Sequence, residues 1–219
     1  ISPRNEYPVP DSDIRLYNKE QIKRFLLTIK KDPRGHMLEY YLALFCGLRP
    51  GEILALRYEN YDPNMRTLFI REEYTKEDHL PGMKTPDQSV TYCFRHLNQA
   101  EHTPFHLKVP EFICRQLNER IWQNEQFFHQ HPNRENPKAF CLSARGTIKV
   151  LPTLNVQLKQ IAKENALPSI SMLDLRYMHI YLLMQKGLDY DDIATSMHLS
   201  PARIKYLCLL ILDNIPEED

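Results

Sequence analysis

CGLRPGEILALRYENYD, Cys46 to Asp62, places one arginine, Arg49, at the mouth of an apolar helix. Gly47 allows close backbone approach, and Pro50 with Gly51 suits a first helical turn, where proline's missing N–H costs nothing. Glu52 falls in that same turn, where the helix dipole favours a carboxylate and an arginine is within reach. Ile53, Leu54 and Leu56 bury the helix that follows. A guanidinium held at a helix start can clamp a phosphate or carboxylate. The plainer alternative is a surface arginine ahead of a core helix.

The surrounding chain supports a full core. Of its 219 residues 42% are apolar and 26% charged, and 28 basic residues balance 28 acidic ones. A neutral total excludes a broad polycation but not a local basic face. The acidic residues gather late, in Asp189 to Asp192 and in the tail from Pro216 to Asp219. The five cysteines (Cys46, Cys93, Cys114, Cys141 and Cys208) lack CxxC spacing and read as buried thiols in a reducing compartment. His129 and His131 do not make a metal site, so neither metal nor cofactor is expected. No apolar run reaches membrane-spanning length. A cytoplasmic protein is the expectation.

The polar stretch 1–14, with Pro3, Pro8 and Pro10, reads as a linker or arm, and residues 15–219 as one domain. Asn18 caps a helix with Gln21 reaching back, and Ile22, Phe25 and Leu26 repeat at helical spacing. A second helix runs from His36 to Phe45. Thr67–Tyr74, Gln88–Arg95 and Pro104–Val109 have strand character, with a polar loop, Thr75 to Asp87, between the first two. Further helices begin at Pro110, before Leu154, at Ser171, near Asp191 and at Ser200-Pro201. The fold class is therefore α+β, mainly α-helical, with a small antiparallel three-stranded sheet.

The order of an arginine at a helix mouth, a lysine in a hairpin loop, DLRYMH and then MHLSPARIKY resembles the catalytic domain of tyrosine recombinases, the phage-integrase family. CGLRPGEILALRYENYD is similar to that family's first arginine motif along its whole length. PKAFCLSARGTI resembles the segment ahead of the second motif, LDLRYMHIYLLMQKGLDYDDIA the second motif itself, and KYLCLL stands in the place of the nucleophile helix. The resemblance runs from about Leu16 to Leu212.

It implies a site-specific recombinase or integrase that cuts and rejoins double-stranded DNA through a 3′-phosphotyrosine, for integration or excision of a mobile element, in a bacterial or phage setting at the nucleoid. Arg49 and Arg176 would grip the nonbridging oxygens of the scissile phosphate and stabilise the charge of the transition state. Tyr206 would attack phosphorus. Lys84, in MKTPDQS, would protonate the leaving 5′-oxygen, with Lys76 as runner-up. His198 resembles a late histidine that hydrogen-bonds the phosphate. Glu52 would support Arg49. Arg49, Lys84 and Arg176 would carry DNA binding. Leu173 departs from the pattern: it stands where the family has a histidine, and it offers neither donor nor acceptor. His179 is a poor replacement, since six helical residues move the attachment point by about 9 Å.

Each residue has a plainer role too. Lys84 is then a solvated loop lysine, Arg176 an ion pair with Asp174 or Glu52, and His179 a locally bonded core histidine. His198 becomes a helix-end residue and Tyr206 one of twelve tyrosines. LCLLILDN is apolar on nearly every side of a helix, which needs a cover. That cover is either a neighbouring copy, giving self-association through the C-terminal helix, or the rest of the chain. The rival to the enzyme is a degraded relative that binds DNA or a protein partner without cutting.

Overall fold

The computed structural model describes residues 14–76, 91–97 and 103–216. The chain divides into two compact units, one formed by Ile1–Pro50 with Lys149–Asp219 and the other by Gly51–Ile148.

The first unit is helical. Helix α1 (Lys19–Lys31) starts at Asn18, whose side chain accepts from the Gln21 N–H while Gln21 reaches back to the Asn18 N–H. Phe25 and Ile29 are its buried face. Helix α2 (Met37–Cys46) has almost no polar side, and Leu38 through Leu44 are all buried. A helix that apolar belongs in the middle of a core. Its one buried carboxylate, Glu39, accepts from Lys149 Nζ at 2.6 Å, an ion pair shielded from solvent. Helix α5 (Leu151–Glu164) buries Leu154, Leu158 and Ile161, as their spacing predicts.

Helix α6 (Met172–Gln185) packs along α2. Ser171 and Asp174 close its start as a reciprocal capping box. Beyond Gly187, at φ +80°, comes α7 (Tyr190–Met197), capped by Asp189. Helix α8 (Pro201–Leu212) follows with Ser200 as cap and Pro201 in its first turn. Helices α7 and α8 pack on each other and on α6. The apolar end of α8 is half covered within the chain. Leu207, Cys208 and Ile211 are buried, whereas Leu209 and Leu212 stand about half exposed, at 51% and 47%.

Helix α3 (Pro50–Ala55) carries the chain into the second unit, whose strands are β1 (Tyr61–Asp62), β2 (Thr67–Ile70), β3 (Glu72–Lys76), β4 (Tyr92–His96) and β5 (Phe105–Lys108), followed by α4 (Glu111–Gln130). A three-stranded antiparallel sheet is present, but its membership differs from the sequence reading. Its order is β1-β2-β5, while β3 and β4 form a separate hairpin. The expected strand Thr67–Tyr74 breaks at Arg71. Leu68 and Ile70 alternate inward, and that alternation ends with Glu72 and Glu73. Beyond the break, side chains pair with β4 instead, Glu73 with Arg95 and Tyr74 with Phe94. Asn124 of α4 donates to the Ala139 carbonyl at 2.9 Å and ties that helix to the buried segment Ala139–Leu142.

Candidate functional site

The site grows out of the end of α2. Gly47 takes the left-handed conformation at φ +64°, and the Leu48 N–H closes back on the Leu42 carbonyl at 3.4 Å. This is a glycine-terminated helix end with its next residue, Leu48, buried as an anchor. Two consequences follow. The chain turns so that Arg49 emerges, half-buried, directly ahead of α3. The Gly47 carbonyl is left to accept a 2.8 Å hydrogen bond from Nε of Arg176, whose side chain is only 8% exposed. With Nε fixed, the guanidinium plane is fixed, and its terminal nitrogens are set by the backbone of another helix.

Gly47 is also a close-packing point. A Cβ there would lie 2.6 Å from Met197 Sδ and 2.7 Å from Cδ2 of His179. His179 is buried one turn beyond Arg176, with its Nδ1 2.9 Å from the Leu44 carbonyl. A carbonyl only accepts, so that nitrogen carries the proton. Burial lowers the His179 pKa to about 4, although the Leu44 bond pulls the other way. His179 is therefore a neutral core residue that joins α6 to α2.

A cleft of about 150 Å³ opens beside this junction. Arg49, Leu173, Arg176, Tyr177, Arg203 and Leu207 are on its walls. Arg49 and Arg176, far apart in sequence, thus face one concavity. Leu173, three residues ahead of Arg176 on the same side of α6, is 40% exposed there and presents only hydrocarbon. Asp174 is engaged elsewhere. Its carboxylate accepts from the Ser171 N–H and hydroxyl, each at 2.7 Å, and from the Arg15 N–H.

Tyr206 is on α8, one turn after Arg203, whose guanidinium carbon is 5.4 Å from the centre of the Tyr206 ring. Tyr206 is 39% exposed, whereas Tyr177 is buried at 5%. Burial raises the Tyr177 phenol above its ordinary value, and the positive charges of Arg176 and Arg203 pull it back. His198 caps α7 in the left-handed conformation, exposed, and is not on the cleft wall. Glu52 is buried in the first turn of α3, within the second unit. Lys84 lies outside the described residues; Lys76 ends β3 in an exposed position. Arg203 escaped the sequence reading. Its i, i+3 spacing to Tyr206 puts both on one face of a helix but does not by itself place that face on the cleft.

Chemically, the cleft suits a tetrahedral anion: arginines, which carry planar forks of donors, line it, and apolar walls lower the local dielectric. Among the described residues no group of three or more His, Cys, Asp or Glu side chains is placed to hold a metal ion. Among them, too, no helix is long and apolar enough to cross a membrane.

No protein-family model matches the chain. It is 22% identical over 188 residues to the ICEBs1 integrase of Bacillus subtilis (strain 168), an alignment covering 85% of this chain and 47% of that protein. The chain thus spans about half the length of this curated relative. Among solved structures it superposes on the Tn1549 transposon integrase in complex with transposon right-end DNA, with a TM-score of 0.71, 14% identity, and coverage of 95% of this chain and 65% of that one. The XerA recombinase gives a TM-score of 0.64 at 13% identity, covering 95% of this chain and 68% of that one.

Proposed function

We propose that this chain, whose fold is that of the tyrosine-recombinase catalytic domain, cuts and rejoins double-stranded DNA in site-specific recombination of a mobile element. One observation carries the reading: Arg49, from the end of α2, and Arg176, from α6, line one cleft with residues of the helix that bears Tyr206. The ICEBs1 and Tn1549 relatives are integrases by name, and the second was solved with transposon-end DNA.

In this reading the scissile phosphate enters the cleft with its nonbridging oxygens on Arg49 and Arg176. The two guanidiniums stabilise the extra negative charge of the pentavalent transition state. The Tyr206 oxygen attacks phosphorus, a phosphotyrosine bond forms, and the bond to the 5′-oxygen breaks. That oxygen takes a proton from a lysine, Lys84 or Lys76. Leu173 offers no acceptor, so the phenolic proton leaves to water, which reaches Tyr206 at its 39% exposure. Rejoining is the same step reversed with another 5′-hydroxyl, and it needs no ATP because the phosphodiester energy is kept in the link. Tyr206 serves better than Tyr177, since it is 39% exposed, whereas Tyr177 is buried and burial raises its phenol above the ordinary value, which disfavours the nucleophilic phenolate. Glu52 would brace the Arg49 turn, and His198 would hydrogen-bond the phosphate from the α7 cap once DNA is bound. The exposed Leu209 and Leu212 would meet a neighbouring copy on DNA.

The test is a nicked duplex carrying the cognate ends, which traps the intermediate by losing its 5′ fragment. A protein–DNA band that survives denaturant, and is absent in Tyr206→Phe, is the expected result. Binding without any such band would replace the enzyme by a DNA-binding relative that does not cut.

A further inference from the structure

Arg203 has no part in the two-arginine clamp just described, yet it lines the same cleft as Arg49 and Arg176. Its guanidinium pairs with no carboxylate among the described residues. What holds it is the face of the Tyr206 ring, 5.4 Å away. Arg203 is one helical turn before Tyr206, so both ride on α8 and move together. Leu173 lines the same cleft and brings no polar atom. Three guanidiniums, those of Arg49, Arg176 and Arg203, thus line a cleft of about 150 Å³. Leu173, Leu199 and Leu207 line it as well, and such apolar walls lower the local dielectric. A third guanidinium on the wall adds a charged planar donor for a phosphodiester.

We propose that Arg203 is a third arginine of the phosphate site, contacting the scissile phosphate from the nucleophile's own helix. The inference rests on the strand-cutting reading for its substrate. It assigns Arg203 two linked effects: a direct contact to the phosphate, and docking of α8 so that the Tyr206 oxygen arrives in line. An arginine that grips the anion and packs on the attacking ring couples substrate binding to placement of the nucleophile.

The experiment uses Arg203→Ala and Arg203→Lys in the full chain, with melting temperatures measured to confirm folding. Duplex affinity is followed against NaCl concentration, and covalent-complex formation is timed on nicked duplexes with either a phosphodiester or a neutral methylphosphonate at the scissile position. Loss of one phosphate contact lowers the slope of log K against log[NaCl] by about 0.9 in Arg203→Ala. Arg203→Lys keeps the slope, since it keeps the charge. Covalent-complex formation by Arg203→Ala falls about 100-fold on the phosphodiester. On the methylphosphonate, which has lost the charge that Arg203 answers, the deficit shrinks several-fold or more. An unchanged salt slope, or the same deficit on both linkages, overturns the inference and leaves Arg203 as a packing residue of α8. If the wild-type chain binds duplex without cutting, the strand-cutting reading fails, and the salt slope alone decides the role of Arg203.

Discussion

Nε of Arg176 donates a 2.8 Å hydrogen bond to the carbonyl of Gly47, and so ties the second arginine of the cleft to the backbone turn that presents the first. The two arginines of the cleft are therefore tied to one glycine. Arg49 follows it by two residues, and Arg176 is bonded to it. This predicts that Arg176→Lys is not a conservative change. A lysine keeps the charge but cannot bond the Gly47 carbonyl while presenting a planar fork to the phosphate. Covalent-complex formation should fall about 100- to 1,000-fold with duplex binding weakened far less. Time courses with a trapping substrate check this, together with affinity measured at one salt concentration.

Gly47 itself should tolerate no side chain. At φ +64° an alanine is strained, and its Cβ would meet Met197 Sδ and the His179 ring at 2.6 and 2.7 Å. Strain and overpacking together predict that Gly47→Ala loses about 2–4 kcal/mol of stability. Urea denaturation gives the number directly.

Burial of His179 makes the first unit acid-sensitive. The ring's pKa is about 4 in the fold and ordinarily near 6.5. Between those values the unfolded chain binds the extra proton, so stability rises with pH across the window. The contribution is fully present above about pH 6.5 and is lost as pH falls toward 4, roughly 3 kcal/mol at most. Urea midpoints at several pH values should decline through this window, and less steeply in His179→Gln.

Much of this was legible in the chain. Asn18 with Gln21, Ser171, Ser200-Pro201 and Gly47 are local signals, read within a few residues, and all stand where their chemistry demands. The alternation of Leu68 and Ile70 likewise identified a buried strand face. What failed to show depends on distant partners. The break at Arg71 arises because β2 pairs with β5 while β3 pairs with β4, and no local residue type announces that exchange. The two-residue strand β1 is too short to carry a period. At the site, Arg49 was visible from the glycine and proline around it. Arg203 was not, since its place in the cleft depends on α8 meeting α6.

Leu173 supplies the remaining mutational test. It faces the cleft at 40% exposure, three residues before Arg176. A histidine there would offer the proton acceptor that Tyr206 otherwise finds only in water. Leu173→His should speed covalent-complex formation about 10-fold, with the gain appearing as pH rises past about 6.5 and the imidazole becomes neutral. A flat or slower rate at every pH means that the phenolic proton does not leave toward α6.

The proposed strand cutting turns above all on Tyr206 as the attacking group. Protease digestion of the trapped covalent complex, followed by mass spectrometry, identifies the residue that carries the DNA. A 3′-phosphonucleotide on the peptide containing Tyr206 is the predicted result. The same adduct on Tyr177 or Tyr181, or no adduct on any tyrosine, would contradict it.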